Sequence, residues 1–559
     1  MRSRRCAGSR APESPGYGKN VVKKSNVEAS AEVSRAPTGI AGLDDILGGG
    51  LPTNHLYVLD GEPGTGKTTL ALQFLLEGAA RGERGLYVTL SESAAELNAV
   101  AKSHGWSLDG IEIYELSKEN SFGAEEGYTI FHPAEVELQQ TVDEVLKAVE
   151  RYNPTRVAFD SLSEMRLLAR EALRFRRQIL ALKQFFNGRD CTVILVDDKT
   201  APDGDLQLHS LAHGVIVLEH VALEYGSERR RLQVTKVRGI QFRGGFHDFR
   251  ILTGGIEVYP RVLQDEQRAD VSLENLSSGS APLDALLGGG LTCGTSTLIT
   301  GAAGTGKSVL CTQFARAEIK RGKRVLFYLF DERMTTFRLR SSELGMDMDA
   351  ERESGQLKMT QVEPTELSPG EFASQVVRAV ENDKCSLVII DSINGYMQSM
   401  PEEGLLPIQI HELLSFLSNN GVSCIMTLVQ HGIFGNPVDE AVEVSYLADT
   451  VILMRYFEVA GSVRQAISVV KKRSSDHERT IRECKVQKGG LFVGEPLSAF
   501  QGVLSGVPRY TGGNAPLLEG GDANGKENGV RDQSGEGGGY AEDGTGENGR
   551  KRHRKKSSR

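Results

Sequence analysis

Two glycine-rich stretches decide how this chain folds: Gly61-Glu-Pro-Gly-Thr-Gly66-Lys67-Thr68 and Gly301-Ala-Ala-Gly-Thr-Gly306-Lys307-Ser308. Both fit the pattern G-x-x-x-x-G-K-[ST], and each follows an apolar run and precedes an amphipathic one. That order predicts a buried strand, a tight loop and a helix. In such a loop the backbone N–H groups wrap phosphate oxygens, the lysine reaches the β- and γ-phosphates, and the hydroxyl ligates Mg²⁺.

The two stretches therefore predict two sites for ATP and Mg²⁺, the alternative being glycine-rich turns that hold no ligand. The predicted nucleotide-binding residues are Gly61, Gly64, Thr65, Gly66, Lys67, Thr68 and Thr69 in the first site and Gly301, Gly304, Thr305, Gly306, Lys307, Ser308 and Val309 in the second.

A long internal repeat surrounds these loops. Residues 38–50 read TGIAGLDDILGGG and residues 278–290 read SGSAPLDALLGGG. The offset of 240 residues persists without a gap from 38–93 against 278–333, and 22 of those 56 pairs are identical. A constant offset over that length indicates duplication of a whole domain.

The arrangement of apolar runs predicts an α/β fold. Short apolar runs alternate with amphipathic stretches in both copies, which is typical of βα units around mostly parallel sheets flanked by helices. We predict two tandem P-loop NTPase domains of the RecA-like kind, at residues 37–268 and 269–510, joined near Pro260–Ser272. Residues 1–36 and 511–559 lack periodic apolar positions, so we expect disordered ends. The basic run at 550–556 is either a solvated tail or a contact for an acidic partner, a membrane surface or nucleic acid.

Composition excludes several classes of protein. The chain has 559 residues, 39% of them hydrophobic and 25% charged, which is typical of a globular protein. The net charge is −9, and residues 37–510 alone carry −15, which argues against a nucleic-acid surface. No apolar run reaches 18 residues, so we expect no membrane span. Seven cysteines without a C-x-x-C pair predict reduced thiols in the cytoplasm rather than disulfides or a zinc site.

Each copy also contains an apolar strand that ends in aspartate. Arg156–Asp160 and Leu387–Asp391 are predicted strands that follow their P-loops by about 90 residues. A carboxylate at that place can hold Mg²⁺ or its water ligands beside the hydroxyl of Thr68 or Ser308. We therefore predict metal ligands at Asp160 and Asp391, although an aspartate at a strand end is also a common turn former.

Hydrolysis requires a group that orients the attacking water. The strand after each P-loop helix ends in Leu90-Ser91-Glu92 or Phe330-Asp331-Glu332. In a RecA-like core this strand end faces the γ-phosphate, so Glu92 and Glu332 are the candidate bases. The alternative is a solvated acidic strand end.

Further stretches in the second copy give the chain a resemblance to a known family. They read ADTVILMRYFEV at 448–459, RQAISVVKKR at 464–473 and GVLSGVPR at 502–509, with His477 and residues 480–482 between them. Together with the paired GGG segments and P-loops, they resemble the KaiC family of double-domain ATPases over residues 37–510. The resemblance implies a double-ring homohexamer with ATP between subunits, an ATPase first ring, and clock-type or signalling partner proteins. In the family's clock members the second ring is also a serine/threonine autokinase and autophosphatase.

The resemblance also implies a role for a basic pair on a late strand of each domain. The pairs are Lys236 with Arg238, and Lys471 with Arg473. In the family, such a pair reaches the γ-phosphate of the neighbouring subunit. A cation supplied in trans offsets the charge that builds on the transferring phosphate. A surface-exposed basic strand is the alternative.

The chain departs from the family pattern at the catalytic strand ends, at the phosphoacceptor pair and in the tail after Tyr510, which has no recognisable match to the family's C-terminal tail. The family has adjacent glutamates at each catalytic strand end, whereas this chain has Ser91-Glu92 and Asp331-Glu332. We therefore expect Asp331 to share the catalytic position and the first site to hydrolyse ATP differently. The family's Ser-Thr phosphoacceptor pair is replaced by Ser445-Tyr446, so Ser445 is the predicted acceptor.

Two other functional classes stay open at this level. One is a DNA-dependent RecA-type ATPase of recombination or helicase kind, which the acidic body disfavours. The other is a nucleotide-dependent scaffold with negligible turnover, which the serine at position 91 keeps open.

Overall fold

The computed structural model describes residues 34–116, 133–169, 171–199, 206–222, 226–262, 274–398, 406–430, 445–459, 461–504 and 509–511. The expected join near 260–272, both expected disordered ends and the basic run at 550–556 lie largely or wholly outside these ranges. Arg35–Ala36 is an exception, because it already forms a short strand within the segment 1–36. None of the helices in these ranges combines the length and apolarity that a membrane crossing requires.

The first domain places helices on both faces of one sheet of nine strands. Apolar residues of the strands are buried on both sides of the sheet, as their continuous apolar runs predict. Its elements are β1 Arg35–Ala36, α1 Ala41–Leu47, β2 Leu51–Pro52, β3 Leu56–Gly61, α2 Lys67–Ala80, β4 Gly85–Thr89, α3 Ala94–Ser103, β5 Ile111–Glu115, α4 Pro133–Tyr152, β6 Arg156–Asp160, α5 Leu162–Ala169, α6 Ala172–Phe186, β7 Thr192–Asp198, α7 Leu206–Leu211, β8 Gly214–Val221, β9 Arg229–Val237, β10 Phe246–Leu252 and β11 Gly255–Tyr259.

The second domain repeats this architecture. Its elements are β12 Asn275–Leu276, α8 Ala281–Leu286, β13 Leu291–Thr292, β14 Ser296–Gly301, α9 Lys307–Lys320, β15 Val325–Leu329, α10 Met334–Glu343, α11 Asp349–Glu353, β16 Leu357–Gln361, α12 Pro369–Asp383, β17 Leu387–Asp391, α13 Ile393–Gln398, α14 Leu406–Asn419, β18 Ser423–Val429, β19 Thr450–Val459, β20 Ser462–Lys472, β21 Arg482–Gln487, β22 Gly490–Pro496, β23 Phe500–Gln501 and β24 Arg509–Tyr510.

The two large sheets have the same strand order. The first runs β11-β10-β9-β8-β3-β7-β6-β4-β5 and the second β22-β21-β20-β19-β14-β18-β17-β15-β16. In each sheet six strands are parallel to one another. The three strands that come last along the chain, β9–β11 in the first sheet and β20–β22 in the second, extend it by antiparallel pairing. This topology confirms the predicted α/β fold with two tandem RecA-like domains.

The antiparallel strands of the first domain contact the second domain at the start of α12. Asp248 on β10 accepts a hydrogen bond of 2.8 Å from the backbone N–H of Gly370, in the first turn of that helix. Arg250 pairs with Glu371 at 3.2 Å, and Arg229 donates to the carbonyl of Pro364 at 3.1 Å. A carboxylate at a helix N-terminus is favourable because the first N–H groups of a helix lack partners within it.

Candidate nucleotide sites

The first P-loop joins β3 to α2. Lys67 Nζ donates hydrogen bonds of 2.8 Å to the carbonyl oxygens of both Gly61 and Glu62. The buried Thr65 donates to the same carbonyl of Glu62 at 2.7 Å, which closes the turn. Gly66 has φ 99°, a backbone conformation that L side chains rarely adopt, so the turn requires glycine there. The remaining predicted residues, Gly64, Thr68 and Thr69, lie in the same loop and the first turn of α2.

The second P-loop repeats this geometry between β14 and α9. Lys307 Nζ donates at 2.8 Å to the carbonyl oxygens of Gly301 and Ala302, and Thr305 donates to Ala302 at 2.9 Å. Burial lowers the pKa of Lys307 to about 8, against the opposing effect of the nearby Asp391 carboxylate. Gly304 and Gly306 have positive φ, whereas Ser308 and Val309 begin the helix.

The two P-loop lysines differ in their carboxylate contacts. In the first domain Asp198, at the end of β7, lies 2.8 Å from Lys67 Nζ. Strand pairing places Asp198 beside Gly61, and the same register in the second domain places Val429 beside Gly301. Lys67 therefore has an ion-pair partner that Lys307 lacks among the residues described here.

Asp160 ends β6 next to the first P-loop. Its Oδ2 accepts hydrogen bonds from the hydroxyl of Tyr87 at 2.5 Å and of Thr68 at 3.3 Å. Burial raises the pKa of Asp160, while the hydrogen bonds from Tyr87 and Thr68 oppose that rise. The predicted pair Thr68 and Asp160 is thus brought together in the structure.

Asp391 occupies the corresponding place in the second domain but bonds differently. Its Oδ1 accepts a hydrogen bond of 2.5 Å from Thr427 on β18. Its Oδ2 is buried without a hydrogen-bond partner in the described part of the chain. A buried carboxylate oxygen in the cavity that Ser308 also lines fits the oxygen ligands that Mg²⁺ prefers.

The change of partner follows an exchange of residues between the two copies. Phe327 stands where the first domain has Tyr87, and Thr427 stands where it has Val196, by strand register. A hydroxyl on one neighbouring strand is thereby replaced by a hydroxyl on the other. Each buried aspartate retains one strong hydrogen bond in this way.

Glu92 follows the end of β4 in a short turn. Its backbone N–H donates to Thr89 Oγ1 at 2.9 Å, and the Thr89 hydroxyl donates back to the Glu92 carbonyl at 2.7 Å. Burial raises the pKa of the Glu92 carboxyl, and the carboxylates of Asp160 and Asp198 raise it further. Its Oε2 is buried and accepts no hydrogen bond from any residue that the structure describes.

Glu332 follows β15 in the second domain and has a cationic partner. Arg340 Nη2 lies 2.8 Å from Glu332 Oε2. Burial raises the pKa of Glu332, and Arg340 opposes that rise. The neighbouring Asp331 accepts a hydrogen bond from the hydroxyl of Ser392, the residue after Asp391. Both acidic side chains are therefore directed into the second site.

A cavity of about 660 Å³ brings the second-domain residues together. It is lined by the P-loop and by acidic side chains from two strand ends, a volume and chemistry suited to a nucleotide. Among its lining residues are Lys307, Ser308, Asp331, Glu332, Arg340 and Asp391.

The basic pairs lie at the amino ends of the parallel strands, opposite the carboxyl ends where the P-loops begin. Lys236 donates at 2.8 Å to the carbonyls of His209 and Ala212, and Arg238 to that of Ser210 at 3.0 Å. These carbonyls precede β8, which is parallel to β3, so they lie at the amino end of the strands. The P-loop leaves β3 at its carboxyl end, roughly 17–20 Å away for six residues.

Ser445 also lies at the amino ends of the parallel strands, in the second domain. Its carbonyl accepts a hydrogen bond of 2.9 Å from Lys471, and that of Tyr446 accepts one of 3.3 Å from Arg473. β19 begins at Thr450 and pairs in parallel with Thr297 of β14. Ser445 is therefore remote from the P-loop of its own second domain.

Comparison with known proteins identifies the family. A family model described as "ATPase: KaiC" matches residues 36–262 and, a second time, residues 276–498. The chain belongs to the KaiC family. Family membership confirms that both domains are nucleotide-binding ATPase domains and that the chain is a KaiC-like, clock-type ATPase.

Curated relatives of the family align over most of the chain. Circadian clock protein KaiC3 of Synechocystis sp. is 26% identical over 486 residues, or 86% of this chain and 95% of that protein. Circadian clock oscillator protein KaiC of Thermostichus vulcanus is 28% identical over 489 residues, 86% and 93% of the two chains. The KaiC of Acaryochloris marina is 27% identical over 494 residues, 87% and 93%.

Sequence reasoning missed four residues that shape the two KaiC-type sites. Tyr87, Asp198, Arg340 and Thr427 reach the sites from strands or helices beyond the motifs themselves. Position 340 could have been noticed, because the 240-residue offset pairs it with Val100 and an apolar position has become basic. The role of Thr427 required the strand order, which no local pattern supplies.

Proposed function

We propose that this KaiC-family protein is a homohexameric signalling ATPase whose second domain also phosphorylates Ser445 of the neighbouring subunit. One observation carries the proposal. Each basic pair, and Ser445, lies at the amino ends of the parallel strands, opposite the P-loop of the same domain. Groups so far from their own site can meet a nucleotide only in another subunit. Partner proteins of the clock or signalling kind would then read the state of the ring.

Nucleotide binding rests on the P-loops. The glycine-rich turns present backbone N–H groups, and Lys67 or Lys307 compensates the β- and γ-phosphate charge. Mg²⁺ would be held through Thr68 with Asp160 and through Ser308 with Asp391, and when bound it neutralises phosphate charge.

Hydrolysis would use the glutamates in the turns that follow β4 and β15. Glu92 or Glu332 accepts a proton from a water that attacks the γ-phosphorus, and ADP leaves as the bridging P–O bond breaks. Asp331 fixes the strand end through its bond with Ser392. Arg238 and Arg473, with Lys236 and Lys471, supply positive charge to the neighbour's γ-phosphate.

Phosphoryl transfer would follow the same course with a different nucleophile. The Oγ of Ser445 forms a bond to the γ-phosphorus, the bond to the β-phosphate oxygen breaks, and Glu332 takes the hydroxyl proton. Ser445 lies next to the basic pair that would enter the same neighbouring site. Tyr446 is a poorer acceptor, because its long, rigid side chain carries the hydroxyl away from that position.

A mixing experiment tests transfer between subunits. Lys307→Ala subunits keep the acceptor but lose second-domain ATP, and Ser445→Ala subunits keep ATP but lose the acceptor. Neither variant alone should incorporate phosphate, whereas a mixture that exchanges subunits should phosphorylate Ser445 on the Lys307→Ala chains.

Phosphosite mapping with one chain isotopically labelled identifies which subunit receives the phosphate. Phosphate on Ser445 in unmixed Lys307→Ala protein, or none in the mixture, would contradict the proposed transfer. Phosphate release that is unchanged by single-stranded DNA would separate this function from a DNA-dependent ATPase.

A further inference from the structure

The second nucleotide site contains an arginine that the P-loop and strand-end motifs do not predict. Arg340 projects from α10 into the cavity beside Lys307 and Asp391. Its Nη2 donates to Glu332 Oε2 at 2.8 Å, and its guanidinium lies 5.2 Å from the ring centre of Phe337. Its side chain is 26% exposed and that of Glu332 is 21% exposed, so the pair is largely shielded from water.

In the described part of the first domain no such ion pair forms at the corresponding position. The helices α3 and α10 have equal lengths and the same 240-residue offset, so Val100 stands where the second domain has Arg340. Val100 packs against the apolar core of its domain. Glu92 Oε2 remains buried without a hydrogen-bond partner in the described ranges, so one candidate base is held by a cation and the other is not.

We propose that Arg340 is a positioning residue that restrains Glu332 and thereby slows ATP hydrolysis in the second domain. The inference rests on the proposed role of Glu332 as proton acceptor. A carboxylate oxygen that already accepts a charge-assisted hydrogen bond is a weaker acceptor for a proton from water. The guanidinium also fixes the direction of the carboxylate. The second site thus retains ATP longer than it would with an unpaired base.

The ion pair has a defined alternative role. If Arg340 instead contacted the γ-phosphate and stabilised charge in the transition state, its removal would slow turnover. The two roles predict opposite changes in kcat, so kinetics distinguishes them.

The experiment measures phosphate release in a Glu92→Gln background, in which the first domain is disabled. Arg340→Val installs the residue that the first domain has at this position. We expect kcat to rise roughly three- to tenfold, which is a small part of the rate acceleration that a general base supplies. KM for ATP should change less than about twofold. Arg340→Lys retains the positive charge and should retain most of the restraint.

A double-substitution cycle shows whether Arg340 acts through Glu332. With Glu332→Gln in place, the acceleration produced by Arg340→Val should disappear. The reciprocal change Val100→Arg, made in a Glu332→Gln background, should slow the first domain. This variant tests the idea even if Arg340→Val folds poorly, which circular dichroism would reveal.

A fall in kcat, an unchanged kcat, or an acceleration that persists with Glu332→Gln would overturn the inference. Failure of the proposed function is a separate outcome. It would appear as undiminished phosphate release from the Glu92→Gln, Glu332→Gln double variant, before Arg340 is changed at all.

Discussion

Lys67 Nζ forms an ion pair with Asp198 Oδ1 at 2.8 Å. In the duplicated second domain the apolar Val429 stands at the position of this aspartate. The carboxylate lies where it competes with nucleotide phosphate for the lysine. Asp198→Val should therefore strengthen nucleotide binding at the first site by about 1 kcal/mol, roughly fivefold, the upper value for a partly exposed pair. Titration with a fluorescent ATP analogue in a Lys307→Ala background measures this affinity alone.

The second domain provides the matched control. Val429→Asp in a Lys67→Ala background should weaken binding at the second site by a comparable factor. If Asp198→Val weakened binding or left it unchanged, the carboxylate would be helping nucleotide binding rather than competing with it.

The buried aspartates predict a compensating pair of substitutions. Tyr87→Phe removes the hydrogen bond to Asp160 and should lower the free energy of unfolding of the first domain by about 1–3 kcal/mol. Adding Val196→Thr copies the Thr427 arrangement and should restore much of that loss. Urea unfolding without nucleotide measures both effects. Equal stability of the single and double variants would show that the threonine hydroxyl does not reach Asp160.

His247 predicts a pH-dependent stability. Its Nδ1 accepts from the backbone N–H of Arg261 at 2.9 Å, its Nε2 lies 3.1 Å from the carbonyl of Arg243, and the residue is 1% exposed. Burial lowers its pKa to about 4, so the folded protein keeps it neutral while the unfolded chain binds a proton below about pH 6.5.

The unfolded chain thus binds more protons between about pH 6.5 and 4, and stability falls as the pH falls through that window. At about 1.4 kcal/mol for each pKa unit, the loss is of the order of 3 kcal/mol. His247→Gln, whose amide can accept and donate at the same places, should flatten the curve of unfolding free energy against pH. An identical slope in the variant and the parent would assign the dependence to other groups.

The contact between the domains predicts unequal effects of two substitutions. Asp248 is half-buried against the N-terminus of α12, so Asp248→Ala removes the acceptor of the Gly370 N–H and the carboxylate near the buried Arg229. We expect a loss of about 2–3 kcal/mol and separate unfolding of the two domains in calorimetry. Arg378→Ala breaks the exposed pair with Glu257 and should cost at most about 1 kcal/mol. Equal effects of the two substitutions would contradict the structural role given to Asp248.

Much of the fold followed from local patterns. Strands Arg156–Asp160 and Leu387–Asp391 have the predicted bounds, and both P-loops lie between a buried strand and a helix. Local patterns are sufficient there because periodicity and glycine positions act over a few residues. The duplication then predicted the second domain from the first.

The chemistry that distinguishes the two sites did not follow from local patterns. Tyr87 and Thr427 contact the aspartates only because β4 and β18 flank β6 and β17, respectively, in the sheets. Asp198 enters from a strand distant in sequence from the lysine that it pairs with, whereas Arg340 reaches Glu332 only because helix α10 turns back beside the strand end eight residues earlier. Such pairings depend on strand order and helix placement, which hydrophobic periodicity does not encode.

Each domain should hold one nucleotide through its own P-loop lysine within an assembled ring. Native mass measurement of the full chain with ATP and Mg²⁺ tests it most directly, because it reports ring size and bound nucleotides together. We expect a hexamer with two nucleotides per subunit, one per subunit lost from the first site in Lys67→Ala and one from the second in Lys307→Ala. A monomer at micromolar concentration, or both variants still carrying two nucleotides per subunit, would contradict the account.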